Sequence, residues 1–156
     1  MKHHLAKQSG VMLLEALIGI LIFSIGILAM VGLQSLSIKN QADAKYRADA
    51  SYFANQILGQ MWADRANVTN GNYQHHPTTT GPTSNCNFSG AASTLANVTT
   101  WTGKVAAALP GAASTKQQII IDNTNPATPN KVTVVVCWKA PQETTWHNYL
   151  AITNIN

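Results

Sequence analysis

The chain has 156 residues, a formal net charge of +4, 46% hydrophobic but only 10% charged residues, and two cysteines. The charged fraction is less than half the roughly 25% of an ordinary soluble domain, which excludes a disordered chain of high net charge and few apolar residues. Without Lys2 and Lys7 at the extreme N-terminus, eight Lys/Arg stand against six Asp/Glu with no basic cluster, which argues against a nucleic-acid binder of the basic-patch kind.

The first predicted element is the run VMLLEALIGILIFSIGILAMVGL, residues 11–33, in which 18 of 23 residues are apolar and Glu15 is the sole charge. As a helix it spans about 35 Å, enough to cross a hydrocarbon core of about 30 Å. A cleaved secretory signal has a shorter apolar stretch, about 7 to 15 residues, followed by a small-residue cut site, and neither is present here. The preceding MKHHLAKQSG carries Lys2 and Lys7 and no acid. The positive-inside tendency therefore keeps this end cytoplasmic and exports everything after Leu33, giving a single-pass membrane protein with an extracytoplasmic body. A carboxylate in an apolar membrane helix costs at least about 2.5 to 3.5 kcal/mol, so Glu15 is expected to have a partner or a function unless it snorkels to the headgroups. Gly19, Gly26 and Gly32 are either the ordinary glycines of membrane helices or points of close helix approach.

The helix is expected to continue from Gln34 to about Ala66 and to end near Asn67. No proline interrupts this stretch, and Tyr46, Ala50, Phe53, Ile57 and Met61 make one apolar stripe at spacings of three and four. Lys39/Asp43, Asp43/Arg47 and Lys45/Asp49 are i,i+4 pairs on what reads as a solvated face. From residue 67 to residue 100 there is no Lys, Arg, Asp or Glu, and Asn plus Thr make 14 of 34 residues. With Gly71, Pro77, Gly81, Pro82 and Gly90 this is a loop-rich excursion. Three Asn-x-Ser/Thr triplets, at Asn67, Asn87 and Asn97, read as chance matches in a stretch of that composition.

Trp101, Val105 and Leu109 share one face of a short helix ending at Pro110-Gly111. Three strands follow, residues 117–122, 131–139 and 148–155, separated by turn segments with prolines. Val132, Val134, Val136 and Trp138 alternate with Thr133, Val135 and Cys137, so one face is set to pack on Tyr46, Phe53 and Ile57. The expected fold class is α+β, a long N-terminal helix packed on a small antiparallel sheet of three or four strands. Trp101, Trp138 and Trp146 read as core or sheet-edge packing. Cys86 and Cys137, an even count in an exported body, suggest a disulfide, with two buried free thiols as the alternative. Catalysis finds little support: no His/Asp/Glu cluster has ligand spacing, and His75, His76 and His147 read as surface or edge residues. No metal and no cofactor is expected.

Gly10 followed by an apolar residue, with Glu15 five places after it and basic or polar residues before, closely resembles the type III signal of type IV prepilins. The resemblance implies that a membrane prepilin peptidase cuts between Gly10 and Val11 and that the new amino terminus of Val11 is N-methylated. Glu15 then becomes the fifth mature residue and serves assembly by neutralising that terminus within the chain or in a neighbouring subunit. The family usually has Phe after the cut, where this chain has Val11. The resemblance divides the chain into a leader at 1–10, a membrane half of the helix at 11–33, an amphipathic half at 34–66 and a pilin head at 67–156. The short helix with Leu109-Pro110-Gly111 and the strand Val132 to Trp138 look most like the PilV branch of the minor pilins. This implies a structural subunit, not an enzyme, that helps prime pilus assembly and influences adhesion and motility near the pilus tip. The implied partners are other minor pilins, the major pilin, the prepilin peptidase, the pilus assembly machinery and, before assembly, the inner membrane, which the chain crosses once. Two other readings compete: a minor pseudopilin of a type II secretion system, and a membrane-anchored periplasmic enzyme or binding domain whose Gly10/Glu15 match is accidental.

Overall fold

A computed structural model describes residues 9–78, 83, 85–141 and 143–155. Lys2, His3, His4, Lys7, Gly81 and Pro82 lie outside the described residues. Helix α1 is Ser9–Ala63, 55 residues long, and the chain divides into two compact units between Ala42 and Asp43.

In the first unit, every side chain described from Val11 to Gln41 is exposed, the apolar ones included. Among the described residues α1 is the one helix long and apolar enough to cross a membrane, with a mean hydropathy of 2.7 over its best window. Ser24 is accommodated there by donating its hydroxyl to the Ile20 carbonyl one turn back (2.7 Å), which spares a polar group from facing the apolar surround alone.

The second unit is built on the amphipathic part of α1. Ala50, Phe53, Ala54, Ile57, Leu58 and Met61 are buried, as the three-and-four spacing demands, and Tyr46 packs at the border of the same cluster. The helix stops earlier than the sequence pattern suggests. Asp64 leaves helical geometry (φ −127°, ψ 54°), and a separate short helix, α2, follows at Arg65–Thr69. The Asp64 carboxylate explains the break: it accepts both the Asn67 amide (2.9 Å to each oxygen) and the Tyr73 hydroxyl (3.2 Å), contacts that a continuing straight helix does not offer it. Tyr73 is fully buried and also accepts from the Asn97 amide at 2.8 Å. Burial raises its phenol above the ordinary tyrosine value, against the Asn97 bond.

Helix α3, Ala96–Ala108, buries Val98, Trp101 and Val105, and Leu109 follows it into the core. The Trp101 indole donates to the Phe53 carbonyl of α1 at 2.9 Å, so a directional bond supplements the apolar contact between the two helices. Gly111 turns the chain away with φ +67°; a Cβ there would lie 3.1 Å from the Lys139 carbonyl oxygen, so only glycine fits without displacement.

After a 3-10 turn at Ser114–Lys116 come the strands β1 (Gln118–Asp122), β2 (Lys131–Trp138) and β3 (His147–Asn154), antiparallel in the order β1-β2-β3. Their registers pair Ile120 with Thr133 and Val135 with Leu150. Val132, Val134, Val136 and Trp138 join Phe53 and Ile57 in one core, as the alternation predicts. The opposite face is not wholly solvated: Val135 and Cys137 are buried beneath a second apolar cluster.

Candidate functional site

Gly10 and Val11 lie in the first turn of α1, which begins at Ser9. Val11 is 69% exposed, and Glu15 is exposed four residues later in the same continuous helix. An i,i+4 spacing puts the two on one face, about 6 Å apart along the axis. A new ammonium group on Val11 would therefore come within one helical turn of the Glu15 carboxylate. Met12, Leu13, Leu14, Leu17 and Ile18 around it are all exposed apolar side chains, so Glu15 is a solitary carboxylate on a greasy surface.

The second site is the covered outer face of the sheet. Cys86 and Cys137 form a disulfide with 6.3 Å between Cα atoms, and both are fully buried. Cys86 has φ +47°, a left-handed conformation uncommon outside glycine. A turn closed by its own N–H on the Thr83 carbonyl (3.0 Å), with the Asn87 N–H on the Thr83 hydroxyl (3.0 Å), holds it there. Phe88 and Trp146 pack over the disulfide and Val135. The Lys116 and Lys139 ammonium groups sit 4.9 and 5.6 Å from the Trp146 ring centre, and Lys116 donates to the Asn87 side-chain carbonyl. These contacts close the polar loop onto the sheet.

Gln117 completes that layer in a way no spacing rule announces. It is fully buried; its amide donates to the carbonyls of Cys137 (3.1 Å) and Ala113 (3.2 Å) and accepts the Cys137 N–H at 2.9 Å. The β1-β2 pairing ends at Gln118 and Val135, so the Gln117 side chain supplies the next rung of the ladder to Cys137.

His75 takes the edge placement of the two expected for it, and is buried there, being 2% exposed. Its backbone exchanges two hydrogen bonds with Ile119 at the outer edge of β1, each 3.0 Å. Its ring accepts the Ser93 N–H on Nδ1 (3.1 Å), so Nε2 carries the proton and donates to the Ser114 carbonyl (3.0 Å). Burial pushes its pKa below the ordinary histidine value, opposed by the Ser114 bond and assisted by the adjacent His76. His147, at the start of β3, is half-buried, stacks on Trp138 and meets the Glu143 carboxylate at 2.5 Å. No group of three or more His, Cys, Asp or Glu able to hold a metal occurs among the described residues.

The structure thus brings Val11 and Glu15 onto one helical face and joins Cys86 to Cys137; these two sites belong to different compact units. The signal for the covered outer face was present in the run Val134-Val135-Val136-Cys137-Trp138, which is apolar on both faces where a half-solvated strand alternates. Nothing local to Gln117 or His75 marks them, because their roles depend on distant backbone atoms. No family model, curated protein or solved structure matches the chain.

Proposed function

We propose that this chain is a minor pilin of a type IV pilus, of the PilV kind. The observation that carries this reading is the solitary Glu15, one helical turn beyond Val11 on an otherwise apolar exposed helix, with Gly10 immediately before. The α+β arrangement of an amphipathic helix under a three-stranded antiparallel sheet supports it.

In this reading a prepilin peptidase hydrolyses the Gly10–Val11 bond at the cytoplasmic face of the inner membrane. The released Val11 amino group is then methylated. The ammonium so created and the Glu15 carboxylate are opposite charges in a low-dielectric surround, where leaving either unpaired is costly. Pairing within the chain, or with the corresponding group of a neighbouring pilin, fixes the axial register of packed helices. The head then enters the pilus with other minor pilins, near its tip, where it affects adhesion and motility. The chain's contribution is structural, with no reaction assigned to its own side chains.

Mass spectrometry of the mature amino terminus, after expression with a prepilin peptidase, tests the reading. A chain beginning at methylated Val11 is expected, whereas an intact leader would overturn it. Glu15→Ala should still be cleaved yet fail to enter the assembly, and normal incorporation would remove the role given to that carboxylate.

A further inference from the structure

The two edges of the sheet are treated differently. The outer edge of β1 is covered at its start: His75 pairs with Ile119 through two backbone bonds, and the Gln118 amide donates to the His76 carbonyl at 2.8 Å. The outer edge of β3 has no backbone partner among the described residues. An edge strand points alternate N–H and C=O groups outward, and natural edges are usually blunted with lysine, proline or a bulge. The strand HNYLAITN has no Lys, Arg, Asp, Glu, Pro or Gly, and its eight residues pair with β2 in unbroken register. Its edge is left receptive.

Beside that edge runs a groove of about 610 Å³ lined by the consecutive residues 149–153 of β3 and by Asn55, Leu58, Gly59 and Trp62 of α1. Leu150, Ile152 and Trp62 are 41%, 55% and 42% exposed, so apolar surface flanks the open backbone on both sides. Gly59 is the one glycine in the amphipathic half of α1, and a Cβ there would meet nothing within 4 Å. No contact inside the chain therefore calls for glycine in this helix, where it weakens the helix relative to alanine. The missing side chain leaves open space beside the groove in which an outside backbone could lie close. The groove lining has no carboxylate and no ammonium group, and the Arg65 guanidinium stacks on Trp62 at 5.2 Å at its border.

We propose that the β3 edge and this groove dock an extended segment of another protein, which adds as a fourth strand, is uncharged and apolar through the groove, and carries an acidic residue where it meets Arg65. Backbone hydrogen bonds to β3 supply the affinity, and side chains entering the groove past Gly59 supply the selection. The proposal does not depend on cleavage of the leader, so a failure of one leaves the other standing.

The test uses the full chain in detergent micelles with the probe peptide acetyl-Glu-Val-Thr-Val-Thr-Val-Glu-amide, read by amide hydrogen exchange along β3. Alternate amides between Asn148 and Asn154 should slow at least about threefold at saturating peptide, as expected when open edge groups gain partners. A version N-methylated on alternate residues should give no slowing. Gly59→Leu fills the groove from the helix side, in open space and with a better helix former, so it should fold and abolish the effect. Four results would overturn the proposal: no protection by the peptide, equal protection by the N-methylated form, equal protection by a lysine-ended analogue, or edge protection that appears without peptide as protein concentration rises. The last would assign the edge to a second copy of this chain.

Discussion

Replacing Gln117 by leucine tests whether a side chain can serve as a rung of the sheet. The residue is fully buried, and its amide satisfies both the N–H and the C=O of Cys137. Leucine has similar bulk but offers neither donor nor acceptor, so two backbone groups lose their partners inside the fold. Each buried group left unsatisfied costs about 1–3 kcal/mol, while burying leucine in place of an amide recovers part of that. The net expectation is a loss of about 2–4 kcal/mol. Urea unfolding of the full chain in micelles, followed by tryptophan fluorescence, gives the total. Hydrogen exchange gives the location: the Cys137 amide should exchange faster relative to Val135 than in the parent, since only the former loses a partner. Gln117→Glu at a pH where the carboxyl is protonated keeps the acceptor and should recover part of the stability. A loss below about 0.5 kcal/mol, or unchanged relative exchange at Cys137, would refute the reasoning.

Two further predictions concern the same unit. Replacing both Cys86 and Cys137 by alanine opens a loop with a sequence separation of 51 residues, for which chain entropy predicts a loss of about 4 kcal/mol; a change under about 1 kcal/mol in the urea midpoint analysis would refute this. His75 has a lowered pKa in the folded state, so the unfolded chain binds more protons. The contribution of His75 to stability is full above about pH 6.5 and falls as the pH drops from there toward the lowered folded value. Urea midpoints measured from pH 7.5 to pH 5 should decline more steeply in the parent than in His75→Gln, and identical slopes would exclude His75 as a source.

The parts of the fold legible in the sequence are those set by short-range periodicity. The stripe from Ala50 to Met61 lies on the buried face of α1, and the three strands fall within one residue of the expected limits, because burial on one face imposes a repeat of 3.6 or 2. The short helix was likewise marked by Trp101, Val105 and the Pro110-Gly111 stop. The early end of α1 was not, since it depends on Asp64 collecting hydrogen bonds from Asn67 and Tyr73, and no propensity scale includes partners nine residues away. The burial of His75 was hidden for a similar reason: its ring is satisfied by the backbones of Ser93 and Ser114, far along the chain. At the helix start the placement of Val11 and Glu15 on one face was readable, because an i,i+4 relation needs nothing but a helix. The disulfide pairing was readable by count, since two cysteines allow only one bridge within a chain.

The partly covered edge of β1 limits how this sheet can associate. A sheet that grows without end needs two open edges per molecule, one to receive and one to offer. Here the chain's own segment at His75 covers the β1 edge at Ile119, which shortens the stretch left to receive a strand. A second copy joining through β3 would therefore present beyond it only a shortened β1 edge, which disfavours continued growth by edge pairing.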